Sequence, residues 1–105
     1  MLFVSILTKT GAATVFVNKE DPLELSLKDA IRDMNVNTFS ALAAAKEAAK
    51  SFEALPEDAA RTFIFTGNIT NVQPIPALLS QGMGKSATAH MIQTAASVYA
   101  NRGYK

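Results

Sequence analysis

The stretch that decides the fold runs from Arg61 to Ser86 and reads RTFIFTGNITNVQPIPALLSQGMGKS. Its first part, Arg61 to Asn68, concentrates Thr, Phe and Ile and stops at Gly67, the composition of a buried strand. Asn71 to Pro76, with prolines at 74 and 76, reads as a loop, because proline cannot donate to a backbone ladder. Gly84-Lys85-Ser86 then opens a helix expected from Lys85 to about Arg102, with Ala87, Met91, Ala95 and Val98 on one face and Gly103 as its stop.

Working outward, Leu2 to Leu7 is a continuous apolar run that suits a strand buried on both faces, followed by a tight turn at Gly11-Ala12-Ala13. Ser26, with Asp29 three residues on, reads as a helix N-cap. From there Ala30, Ile31, Met34, Leu42, Ala45, Ala49 and Phe52 recur at helical spacing, so one helix is expected to about Ala54. Asn35-Val36-Asn37-Thr38 in its middle are poor helix formers, which predicts a distorted turn with backbone groups freed to bind something else. The six alanines between Ala41 and Ala49 permit another helix to approach closely. Strand, helix, strand, helix makes a βαβα unit with a parallel crossover, so the expected class is α/β.

Composition sets limits on this reading. Of the 105 residues, 49% are apolar and 18% charged, below the roughly 25% charge usual for soluble domains, which points to surface meant to be covered. Net charge is +1 with charges of both signs along the chain, so no footprint for nucleic acid or an anionic membrane is expected. No cysteine is present, which rules out disulfides and thiol chemistry and suits a cytoplasmic protein. His90 alone offers imidazole, so no metal site is expected. No run approaches the roughly 18 apolar residues that cross a bilayer, and Leu2 to Leu7 is too short for a signal-peptide core.

Gly84-Lys85-Ser86 suggests a phosphate-binding loop, but that motif needs glycine five residues before Gly84, where Leu79 stands. A second pattern is more specific. Asn37, Asn68, Gln81 and Lys85 stand at spacings of 31, 13 and 4. In these residues and in the order of its elements the chain resembles the central portion of the short-chain dehydrogenase/reductase family, from that family's fourth strand to its active-site helix.

The resemblance covers nearly the whole chain and implies a partial Rossmann-like sheet lacking the N-terminal nucleotide-binding half, with residues 1–105 forming one incomplete domain. It implies oxidoreductase ancestry and NAD or NADP as cofactor. Asn37 and Lys85 then match the catalytic tetrad. Asn68 falls where the family has serine, and Gln81 falls where it has the tyrosine that exchanges a proton as hydride moves. A carboxamide does not titrate near neutral pH, so the isolated chain is expected to lack independent catalysis. The resemblance further implies that Lys85 and the turn at Gly11 and Ala12 face the cofactor, and that the two long helices pair with a second copy or with a full-length relative. The alternative function is a noncatalytic protein that associates through those helices.

Overall fold

The structure is a computed structural model that describes residues 15–105. The expected strand Leu2 to Leu7 and the turn at Gly11, Ala12 and Ala13 lie outside the described residues. Helix α1 spans Leu27–Met34, a π-helical turn follows at Asn35–Phe39, α2 spans Ser40–Glu53 and α3 spans Leu79–Tyr99.

The first of these elements forms as its sequence dictates. Ser26 Oγ accepts the Asp29 backbone N–H at 3.1 Å, the cap that starts α1. The distortion falls at Asn35-Val36-Asn37-Thr38, and it is a π turn in which the Ser40 N–H reaches the Asn35 carbonyl. The Arg61 guanidinium folds back to close the end of α2. Its Nε donates to Phe52 O at 3.0 Å, its Nη2 to Leu55 O at 3.1 Å and Pro56 O at 2.6 Å, and its Nη1 to Glu57 O at 3.0 Å. Phe52 lies in the last turn of α2 and the other carbonyls follow it, and a cation there suits the negative end of the helix dipole.

The expected α/β class is not what forms. Among the described residues there is no strand and no sheet, and the segment read as a strand from Arg61 to Asn68 makes only an isolated parallel bridge, Arg61 with Tyr104. Two hydrogen bonds hold that bridge, Lys105 N to Arg61 O at 2.7 Å and Phe63 N to Lys105 O at 2.6 Å. A β-rich composition gives a strand only where neighbouring chain pairs with its backbone, and beyond Phe63 the described residues provide no such ladder. Ile64 is accordingly 83% exposed. The Rossmann-like βαβα fragment is therefore corrected to helices joined by extended and irregular chain.

Helix α3 also begins earlier than expected. Pro76 starts a 3-10 turn at Pro76–Leu78 that runs directly into Leu79, because proline's fixed φ suits a first helical turn. Gly82 and Gly84 thus lie inside the helix and do not lead into it. The helix ends as the sequence indicates: a 3-10 turn at Ala100–Arg102 is followed by Gly103 at φ 72°, the left-handed stop that glycine adopts without strain.

The packing is unusual for a helical protein. Ala41 and Ala48 are the buried apolar residues among those described, whereas Asp33, Asn37, Thr38, Thr70, Ser80, Gln81 and Thr88 are all buried. Leu23, Leu27 and Val72 are more than 80% exposed. The interior is thus a seam of hydroxyls and carboxamides between the π turn and α3, with much of the apolar surface outside. Buried polar groups are costly unless bonded, so this seam is held by directional bonds.

Candidate functional site

Helix α3 presents Gln81, Gly84, Lys85 and Thr88 at the i, i+3, i+4, i+7 spacing that puts residues on one helical face. Gly84 meets the π turn. A Cβ built on it would lie 2.6 Å from Asn37 Cβ, so only the absence of a side chain permits this approach. Thr38 Oγ1 donates to Gly84 O at 2.9 Å, and Thr88 Oγ1 donates to Asn37 O at 2.6 Å. The Asn37 carbonyl of the distorted turn is therefore bonded from α3. The Asn37 side-chain amide donates to Asp33 O at 3.0 Å. Asp33, fully buried, accepts the Val15 N–H on Oδ2 at 2.9 Å and so ties the chain entering the fold to the last turn of α1.

Asn68 and Gln81 meet across the same face, Asn68 Nδ2 donating to Gln81 Oε1 at 3.0 Å. The orientation of both amides follows from one fixed donor. The Thr70 backbone N–H, 2.9 Å from the Asn68 side chain, requires an oxygen there, so the Asn68 nitrogen faces Gln81 and Gln81 must present its own oxygen. Thr70 Oγ1 also bonds Asn68 Oδ1. Asn68 thereby caps the 3-10 turn Ile69–Asn71 while it holds Gln81.

Lys85 stands one turn beyond Gln81, with Nζ 5.0 Å from the centre of the Phe65 ring. Burial pushes its ammonium below the ordinary value of 10.5. Desolvation disfavours the charged form, and the ring face compensates in part. The sign for stability follows directly. Because the folded-state value lies below the unfolded one, the folded chain loses this proton first, and stability rises with pH between the lowered value and 10.5. Urea midpoints compared at pH 8 and 10 should show this rise in the native chain and not in Lys85→Met; equal pH responses in both would refute the assignment.

The four residues singled out in the sequence therefore divide into two contacts on one face. Asn37 is joined to Gly84 and Thr88, and Asn68 to Gln81, with Lys85 between these contacts along α3. Gly11 and Ala12 lie outside the described residues. Tyr99, 18 residues past Gln81, is ~27 Å along the helix at 1.5 Å per residue and cannot take over at that position. His90 is exposed. Thr38, Thr88 and Asp33 were missed by reading the sequence. The signal for Thr88 was available, because it lies seven residues after Gln81 and three after Lys85.

No helix among the described residues is long and apolar enough to cross a membrane. No protein-family model matches the chain, and no solved structure matches it. A short chain dehydrogenase/reductase of Cryptosporiopsis sp. (strain 8999) is 52% identical over 95 residues, which is 90% of this chain and 39% of that relative. The chain thus spans well under half the length of the relative it matches. At that identity over nine-tenths of its residues, the chain belongs to the short-chain dehydrogenase/reductase family and corresponds to part of such a protein.

Proposed function

We propose that this chain carries the active-site face of an NAD(P)-linked oxidoreductase in which the proton-transfer position is held by a group that cannot transfer a proton. The observation that supports this is the Asn68–Gln81 bond of 3.0 Å. It joins the positions where the family keeps serine and tyrosine, and both are carboxamides. Loss of a positioned acid or base costs about 10² to 10⁴ in rate. Asn37 remains at the distorted turn, and Lys85 remains one turn from Gln81.

Lys85 fits a nicotinamide ribose, since among the described residues no carboxylate takes its N–H donors. A nicotinamide cofactor, when bound, supplies or accepts the hydride. What the chain's own residues do is orient a carbonyl oxygen by N–H donation from Asn68, Gln81 and Lys85. Purified protein mixed with NADPH and a panel of aldehydes and ketones should show no oxidation of NADPH above the uncatalysed rate. Steady turnover that disappears in Gln81→Leu would overturn the reading.

A second property rests on a separate observation. An apolar groove of about 680 Å³ lies between α2 and α3, lined by Leu42, Ala45, Ala49, Phe52, Met91 and Tyr104 among others. We propose that the two long helices associate there with a second copy or a full-length relative. Ala45→Glu should shift the chain to later elution in size-exclusion chromatography; unchanged elution of an oligomer would refute this interface.

A further inference from the structure

Bond accounting at the Asn68–Gln81–Lys85 face leaves chiefly donors. Asn68 Oδ1 is filled by Thr70 N and Oγ1, whereas Gln81 Oε1, bonded by Asn68 Nδ2, keeps one lone pair. The amide N–H groups of Gln81 and the ammonium of Lys85 have no acceptor among the described residues, and neither nitrogen accepts a hydrogen bond. No carboxylate among the described residues pairs with Lys85. Every Asp and Glu of the chain falls between Glu20 and Asp58, so residues 1–14 hold none and none follows Asp58. The described ion pairs are Arg32 with Asp33 and Lys50 with Glu47. Lys85 is thus a partly buried cation with an aromatic ring beside it and no anion of the chain to pair with.

We propose that this face is a receptor for a carboxylate, whose two oxygens take the Gln81 Nε2–H and a Lys85 Nζ–H while Phe65 flanks its apolar part. An alcohol could donate its hydroxyl hydrogen to the remaining lone pair of Gln81 Oε1 but brings no charge to meet the Lys85 ammonium. A carboxylate needs donors only, and a planar anion with two acceptor atoms suits two donors one helical turn apart. The bound anion would also relieve the desolvated charge on Lys85. The inference rests on the reading of this face as a binding site that cannot transfer a proton, and it names the ligand class.

The test is side-chain amide NMR of the full chain with benzoate as probe, alongside benzyl alcohol and inorganic phosphate. Benzoate should shift the Gln81 Nε2 resonances saturably and raise the Lys85 titration midpoint, whereas benzyl alcohol should do neither. Loss of one charge-assisted bond should weaken benzoate at least about tenfold in Lys85→Met and in Gln81→Glu. Gln81→Glu keeps the side chain's size and replaces its donors, so it separates recognition from folding. Absent shifts with benzoate, equal shifts with benzyl alcohol, stronger binding of phosphate, or undiminished binding by a folded Gln81→Glu chain would each overturn the proposal. These readouts involve no turnover, so failure here leaves the oxidoreductase reading standing, and NADPH turnover by the native chain overturns that reading alone.

Discussion

Gly84→Val is expected to lower the stability of the chain by about 3 kcal/mol in urea unfolding, the upper part of the range for forcing atoms into a filled site. The first added carbon would stand 2.6 Å from Asn37 Cβ and 3.4 Å from Thr38 Oγ1. Unbonded carbons meet comfortably at about 3.5 to 4.0 Å, so α3 must move away from the π turn. Asn37 Cβ is fixed to the backbone of that turn and cannot rotate aside. Replacing glycine within a helix normally helps by up to about 1 kcal/mol, and that gain is too small to offset the clash. Gly82 provides the control. A Cβ there meets Thr70 Cβ and O at an ordinary 3.7 Å, so Gly82→Ala should be neutral or stabilising. Equal losses at both glycines would show that the close approach at Gly84 is not what matters.

Thr88→Val should cost about 2 kcal/mol, although it preserves the shape of the side chain almost unchanged. Thr88 is fully buried and its hydroxyl, 2.6 Å away, is the donor to the Asn37 carbonyl. Thr88 and Asn37 are both buried, so water has little access to replace the hydroxyl. An isosteric methyl takes this donor away from a buried acceptor and gives nothing polar in return. Thr88→Ser keeps the bond and loses one methyl, about 0.8 kcal/mol. The order valine worse than serine, measured by urea midpoints, carries the test; the reverse order would mean that packing, not the hydrogen bond, fixes this contact.

These two sites show what the sequence disclosed and what it concealed. The cap at Ser26, the distortion at Asn35 to Thr38 and the stop at Gly103 were legible, because each depends on local backbone preference. The α/β class was not, because the apolar composition of Arg61 to Asn68 describes what a strand would bury and says nothing of where its partners lie. The start of α3 was misplaced by giving Gly82 and Gly84 more weight as helix breakers than Pro76 as a helix starter. At the site, the spacing of Asn37, Asn68, Gln81 and Lys85 picked out residues that lie on or against one face of α3. The hydroxyls of Thr38 and Thr88 went unread because threonine carries no distinctive spacing, and their importance comes from a contact between helices far apart in sequence. The run of chain free of carboxylates after Asp58 was visible in the letters but hidden by a net charge of +1.

The π turn at Asn35–Phe39 also acts as a phase shifter. It contains one residue more than a regular helix would need, and each residue of an α-helix advances its faces by about 100°. The azimuth of Asp33 and Asn37 relative to Ala41 and Ala48 is therefore set by a count of residues, independently of which side chains fill the turn. Loss of a single residue from this segment would rewind it into continuous α-helix and rotate one half of the long helix against the other. The buried seam and the outer apolar surface would then no longer lie on the sides of the molecule that their partners occupy. Length in this segment is thus more tightly constrained than chemical identity.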